Sequence, residues 1–385
     1  MAAMNILLIP ILLKRYMSLL MKAVVIGGGV VGLFTAYYLR REDVDVVVIE
    51  QGDLGQWSRA AAGILEFTRF VINRINVKSY LYKYIYMVFK GEARVKTLDR
   101  AWISTYLKVL GKAPTPEMWD GIKFFGDFSR RQYKAFAEEK NDFDYSEEPL
   151  YEIGVDVEKA LEEARRDPLT PKVERGFCCG QDALVYLDAA KLSTEDFVER
   201  LKRELSDVVF IKRRAEEIVG TDVWLEGGAV ERGDVVIVAA GYWARKLGVP
   251  VAPLKGYGFR TFAKARHMFL DMRYGFAVVP LSKWTKITGR FDLDGSDDHT
   301  PSNRVINNAK RLLGDFDIID MAVGYRPCTP DGFPVIDRLN SVVIVTGACR
   351  LGWTYGPALG KAAADLALGR RTTEVFTTRR FRDRP

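Results

Sequence analysis

The stretch KAVVIGGGVVG at Lys22–Gly32, followed by DVVVIE at Asp45–Glu50, decides how the rest of the chain is read. Ala23 to Ile26 are four apolar residues in a row, the pattern of a buried strand, and they run straight into Gly27, Gly28 and Gly29. Gly27, Gly29 and Gly32 fit G-x-G-x-x-G, in which the first glycine makes a tight turn, the second lets backbone approach a pyrophosphate and the third allows close helix-strand packing. A helix is predicted from Val30 and Val31 onward, and its N-terminal N–H groups and dipole favour an anion. Val46 to Ile49 closes a β-α-β unit with Glu50 at its end, where a ribose-binding acid belongs. This unit predicts a dinucleotide site and does not by itself choose between NAD and FAD.

The 385 residues suffice for two domains with buried cores, and 48% hydrophobic residues is ordinary for a globular chain. The net charge of +7 is spread along the chain, which suits anionic ligands or an acidic membrane surface and is too diffuse for a nucleic-acid footprint. With only His267 and His299, neither a histidine-built metal site nor a Ser-His-Asp triad is expected. Cys178, Cys179, Cys328 and Cys349 lack C-x-x-C spacing, so the chain is expected to be reduced and cytoplasmic.

Residues 1–20 carry NILLIPILL ahead of Lys14 and Arg15. The run is too short to span a bilayer, is broken by Pro10 and has its charge on the wrong flank for a signal peptide. It reads as an N-terminal extension, with a peripheral contact on the inner face of the membrane as the alternative. Ser58 to Gly63 holds small residues and one arginine, which suits backbone approach to a flat ligand and equally an ordinary helix start. Residues 64–179 read as mainly helical. Tyr80, Leu81, Tyr84, Ile85, Val88 and Phe89 form one apolar stripe that core packing explains, with membrane or partner docking as the second reading. Phe136 to Asp144 reads as a charged, solvated helix followed by a turn.

Asp234 to Ala240 is a second buried strand running into a glycine turn at Gly241. Between Pro250 and Met321 the pattern becomes alternating, as in Lys286 to Phe291, which predicts an antiparallel sheet. After a strand at Val342 to Thr346, Gly352, Gly356 and Gly360 open a last helix whose N–H donors point at something electron-rich. Three glycine-lined approaches argue for a large ligand, and FAD suits better than NAD. The expected fold class is α/β. A Rossmann-type FAD-binding domain (residues 21–100, 180–250 and 325–382) is joined to a mixed α+β substrate domain carrying an antiparallel sheet (residues 101–179 and 251–324).

From residue 21 to 382 the chain resembles the FAD-dependent family of D-amino acid oxidases and dehydrogenases, the DAO family. The shared features are VVIGGGVVG with Glu50, SRAAAG, VVIVAAGYW, PLKGYG at Pro253–Gly258, KITGRFDLDG, GYRPCTPDGFPVID and GWTYGPALG. PLKGY and the helical stretch from about Tyr80 to Leu110 are more similar to the D-amino acid dehydrogenase branch. The resemblance implies that a hydride leaves the α-carbon of an amino acid for the flavin, giving an imino acid that hydrolyses to a 2-oxo acid. It implies that Gly27, Gly29, Val30, Val31, Gly32, Glu50 and Gln51 hold the nucleotide end of FAD. Ser58, Ala61, Ala62, Gly63, Ala215, Ala240, Gly241 and Trp243 would line its length, and Arg326, Arg350, Leu351, Gly352, Trp353 and Thr354 its ring. Arg326 of GYRP would clamp the substrate carboxylate bidentately. Arg350 would lie near flavin and substrate, and Tyr257 would flank the pocket. The cysteine that tethers flavin in the sarcosine oxidase branch is replaced here by Gly324, so FAD is expected to be noncovalent. The implied partners are a D-amino acid, D-proline among the candidates, and a quinone or dye-like electron acceptor. An oxygen-using glycine or sarcosine-type oxidase is the alternative within the class, and a flavin-binding subunit of a larger complex the alternative outside it.

Overall fold

The structure, a computed structural model, describes residues 21–382. The extension expected at 1–20 lies outside the described residues. The strands that position the site are β1 (Lys22–Ile26), β2 (Asp45–Glu50), β3 (Val235–Val238), β4 (Ala252–Thr261), β5 (Thr285–Leu293), β6 (Ile318–Cys328) and β7 (Val342–Thr346). The helices are α1 (Val30–Arg40), α2 (Lys78–Phe89), α3 (Arg100–Val109), α4 (Pro116–Lys140) and α5 (Gly352–Ala367).

β1 is apolar from Ala23 to Ile26 because both its faces are covered. Ala23 and Val25 enter a helix-covered core with Leu33, Phe34 and Ala363, while Val24 and Ile26 enter a second core with Val47, Val236 and Val223. Full burial of one valine or isoleucine contributes about 1.5–3 kcal/mol, so a polar residue at any of these positions is costly. β1 lies centrally in a six-stranded sheet of order Val335–Leu339, β7, β3, β1, β2, Val209–Lys212. All its pairings are parallel except the edge pair with β7. The Rossmann-type expectation is met here.

α1 can pack tightly on β1 only because Gly32 has no side chain: a Cβ there would sit 1.9 Å from the Gly27 carbonyl oxygen. α5 also approaches α1 closely, since a Cβ at Gly360 would lie 2.5 Å from the Phe34 Cβ. Pro357 inside α5 cannot donate to the Trp353 carbonyl one turn earlier. The Tyr133 hydroxyl of α4 donates to that oxygen instead, at 2.6 Å.

The eight-stranded sheet runs β6, β4, β5, Phe276–Pro280, Phe269–Asp271, Leu150–Ile153, Gln181–Tyr186, Val173–Cys178. Its neighbours are antiparallel except for Phe269–Asp271 beside Leu150–Ile153. The mixed second unit with its antiparallel sheet is therefore present.

Several expected boundaries are corrected. α4, expected in the substrate domain, buries Phe125, Tyr133 and Phe136 in the same core as α1 and α5. Phe136 is thus 4% exposed, enclosed by its aromatic neighbours Phe34 and Phe197, while Glu138, Glu139 and Lys140 at the end of the same helix are exposed as expected. Gln181–Tyr186, expected in the nucleotide domain, belongs to the larger sheet. Within the stretch read as helical, Leu150–Ile153 and Val173–Cys178 are strands. Val173–Cys178 escapes a pattern reading because it is an edge strand with one partner and little burial, so its residues carry charge. The aromatic stripe of α2 is split. Tyr80, Leu81 and Tyr84 pack on the core beside Leu254 and Leu293, whereas Ile85 is 56% and Phe89 86% exposed.

Candidate active site

A cavity of about 650 Å³ opens at the carboxyl ends of β1, β2, β3 and β7 and extends to the edge of the eight-stranded sheet. At its nucleotide end Gly27, Gly29, Val30 and Val31 form one wall and Glu50 with Gln51 the other. The Glu50 carboxylate accepts from the Gly28 N–H at 2.8 Å and the Gly52 N–H at 3.0 Å. Each oxygen keeps a lone pair for a further donor such as a ribose hydroxyl. The Ser58 hydroxyl accepts from Val30 N–H at 3.0 Å, tying the SRAAAG turn to the start of α1. Gly32 does not line the cavity; its role is the α1–β1 approach.

Ala61, Ala215, Ala240, Gly241 and Trp243 line the middle of the cavity. Gly241 has φ +57° and an added Cβ would meet nothing within 4 Å, so its backbone faces open space. Ala62 and Gly63 are not in the wall. Ala62 packs on the core around Leu184, and Gly63 accepts from the Leu192 N–H at 2.9 Å, where a Cβ would strike the Leu192 carbonyl oxygen at 2.0 Å. Trp57 was missed by sequence reasoning. It lines the cavity between Trp243 and Tyr325, ring centroids 5.5 and 5.4 Å away, and its indole N–H is buried without a partner. An orphaned donor in a cavity wall calls for an acceptor.

The far end is built from β4, β6 and the turn before α5. Gly256 of β4 stands opposite Gly324 of β6 in the ladder. A Cβ at Gly256 would lie 2.2 Å from the Arg326 guanidinium and one at Gly324 2.8 Å from the Trp57 carbonyl oxygen, so this glycine pair makes room for both groups. Arg326 donates to the Arg290 and Leu254 carbonyls at 3.0 and 3.4 Å, and Arg350 to the Ile72 carbonyl at 3.4 Å. Both guanidinium carbons sit over the Phe291 ring of β5, 4.4 and 4.5 Å from its centroid. Among the described residues neither arginine has an acidic partner. Burial, and then the neighbouring Arg350, lowers the Arg326 guanidinium to about 10, and burial lowers Arg350 as well. Two unpaired cations bordering a cavity are complementary to one carboxylate. Tyr80 of α2 is close enough for both arginines to act on its hydroxyl, whose pKa burial raises. Phe291 and Tyr80 had no site signal in the sequence beyond an alternating strand and an apolar stripe. The pairing of PLKGYG with AVGYRP was the signal available for Gly256.

Gly352 and Trp353 line the cavity at the start of α5, but Leu351 and Thr354 do not. Leu351 is a core residue, and the Thr354 hydroxyl accepts from the Glu66 N–H at 3.2 Å. Tyr257 is also corrected. Side chains alternate along β4, so with Gly256 on the cavity side Tyr257 faces away, fully buried against Phe259, Phe276 and Val305. The expectation of reduced cysteines is overturned by a Cys328–Cys349 disulfide, while Cys178 and Cys179 are free. Partners brought together by the β6–α5 approach carry no sequence spacing signal.

The glycine cradle, the Glu50 acceptor and the orphaned Trp57 donor fit a long, hydrogen-bonding nucleotide such as FAD, and no histidine lines the cavity. Residues 22–366 match the family described as DAO, FAD dependent oxidoreductase. The chain is 66% identical to the D-proline dehydrogenase of Pyrobaculum islandicum over 362 residues, 94% of this chain and 100% of that one. It is 25% identical to a D-amino acid dehydrogenase of Allorhizobium ampelinum, over 91% of this chain and 96% of the other. The solved glycine oxidase of Bacillus cereus superposes with a TM-score of 0.68 at 16% identity, covering 92% of this chain and 99% of that one, a likeness of fold.

Proposed function

The chain belongs to the DAO family of FAD-dependent oxidoreductases, and on that premise we propose that it oxidises D-amino acids, D-proline foremost, to imino acids and passes the electrons to a quinone or dye-like acceptor. The observation that carries this reading is the pair of buried guanidinium groups of Arg326 and Arg350, neither in a salt bridge among the described residues, at one end of a nucleotide-sized cavity.

FAD supplies the hydride acceptor. Gly27, Gly29, Val30 and Glu50 are placed to hold its nucleotide end, and Gly241, Trp243, Gly352 and Trp353 to line the rest. The chain's own part is to bind and orient. Arg326 and Arg350 take the substrate carboxylate, which fixes the α-carbon relative to the cavity wall. Pro327 beside them offers apolar surface for an aliphatic ring, and Phe291 supports the two guanidinium groups from behind the wall. In this reading the amine arrives neutral, and kcat/KM rises with pH as the substrate amine loses its proton. The first-turn N–H groups of α5 favour negative charge developing near Gly352.

The exposed face of α2 supports a peripheral contact with an anionic lipid surface. Tyr82, Ile85, Tyr86 and Phe89 are exposed there among Lys78, Lys83 and Lys90, with no acidic residue in the helix. Among the described residues no helix is long and apolar enough to cross a membrane.

Anaerobic addition of D-proline, D-alanine and L-proline to the purified flavoprotein tests the reading. Bleaching of the flavin is expected with the D-enantiomers, with recovery on adding a quinone analogue and slow recovery in air. Fast recovery in air would make the chain an oxidase. Acid precipitation should leave the yellow colour in the supernatant; a coloured pellet contradicts noncovalent FAD.

A further inference from the structure

Neither catalysis nor cofactor binding, as read above, uses the Cys328–Cys349 disulfide, yet its position is specific. Arg326 precedes Cys328 by two residues at the end of β6, and Arg350 directly follows Cys349 in the turn before α5. The bond therefore joins the two backbone segments from which the two guanidinium groups project. It is buried, Cys328 0% and Cys349 3% exposed, in a core with Ile75, Tyr106 and Leu254.

Those segments have a reason to separate. The two guanidinium groups share the Phe291 ring, 4.4 and 4.5 Å from its centroid, and each is a cation without an acidic partner among the described residues. Burial first, and then the Arg350 charge, disfavour the charged form of Arg326, so the two cations repel each other. Opposing this, besides the disulfide, are the Cys349 N–H bond to the Pro327 carbonyl at 3.0 Å and an isolated antiparallel bridge between Cys328 and Ala348. Asn73 adds bonds to the Ala348 carbonyl at 3.0 Å and from the Arg350 N–H at 3.1 Å. These few hydrogen bonds can open one at a time, whereas a covalent link cannot.

We propose that the Cys328–Cys349 disulfide is a positioning element of the substrate site, holding Arg326 and Arg350 at a spacing that a single carboxylate bridges. The proposal rests on the reading of the two arginines as the carboxylate clamp. Its cost is that of any pre-organised site: the repulsion is held in the free enzyme and relieved when the carboxylate arrives.

The test uses the full-length, FAD-loaded Cys328→Ala/Cys349→Ala variant well below its melting temperature. Cyclopentanecarboxylate, a ring carboxylate with no amine to oxidise, is titrated by its effect on the flavin spectrum, alongside steady-state kinetics with D-proline. The expected result is a rise of about tenfold in both the Kd and the KM, with kcat at saturation and FAD content retained. An unchanged Kd and KM with only a lower melting temperature would overturn the proposal and leave the bond a plain structural staple. If the variant does not fold, the wild-type enzyme is reduced with a phosphine until thiol labelling finds all four cysteines instead of the two free ones, and the same titration is read. Arg326→Lys with the disulfide intact separates the two ideas. Undiminished cyclopentanecarboxylate binding there refutes the carboxylate clamp itself, whereas weakened binding there beside normal binding in the cysteine variant refutes only the role of the disulfide.

Discussion

The two ends of the cavity are built on opposite plans. The nucleotide end is mostly backbone, supplied by β1, the start of α1 and the end of β2, with Glu50 its main side-chain acceptor. The substrate end is mostly side chain, with Arg326 from β6, Arg350 from the turn before α5 and Phe291 from β5 meeting across hydrogen-bonded ladders. The nucleotide end depends on close backbone packing, as at Gly27 and Gly32, whereas the substrate end depends on the charge of two side chains, for which Gly256 and Gly324 leave room. In the proposed function the difference also divides the chemistry, the first end holding the cofactor and the second the substrate carboxylate.

The largest effect is expected where α1 packs on β1 at the nucleotide end. In Gly32→Val the new Cβ would fall 1.9 Å from the Gly27 oxygen, so α1 cannot close on β1, and the purified protein is expected to carry no FAD or not to fold. A flavin-to-protein ratio equal to that of the unmodified chain would break the account of the nucleotide end. Next in size is Arg326→Ala, which removes one desolvated partner of a carboxylate at a cost of about 2–5 kcal/mol in kcat/KM. FAD content should be unaffected, and a matching loss of flavin would show that the two ends are not separable.

The smallest functional effect is expected behind the sheet. Asp294, fully buried, pairs with Arg94 and with Lys255 on the side of β4 away from the cavity. Burial by itself raises its pKa, but hydrogen bonds from Ser296, Lys255 and Arg94 outweigh that and hold it down, from 3.8 to about 2. A folded value below the unfolded one means a stabilisation present above 3.8 and lost as pH falls through about 2. Asp294→Asn should therefore melt earlier at neutral pH, with the gap to the unmodified chain narrowing between those values, while FAD content and KM stay put. A shifted KM would place Asp294 in the substrate end after all.

Much of this was legible from residue order. The strand, the glycines and Glu50 lie within one β-α-β unit, so local spacing alone predicts their meeting, and Gly241, Gly352 and Arg326 were found through short motifs at strand ends. The misses share a cause. Tyr257 is implied to flank the pocket because a motif names residues without saying which face of β4 they occupy, and Ala62, Gly63, Leu351 and Thr354 come from shared motifs that likewise carry no side-chain direction. Trp57 and Phe291 were passed over because an aromatic in a strand or turn has core packing as its default explanation. The disulfide was unreadable, since its cysteines are brought together by the approach of β6 to the start of α5.

What the sequence alone determined is the nucleotide half: apolar runs bury on both faces, glycines permit backbone contact, and both effects act over a few residues. Which side chains share the substrate end was decided only by the tertiary structure. The register of β4 against β6 puts Gly256 opposite Gly324, and that gap lets Arg326 fold back toward Phe291 and Arg350. A one-residue slip in that ladder would turn every one of these side chains to the other face, and no local pattern in the chain records it.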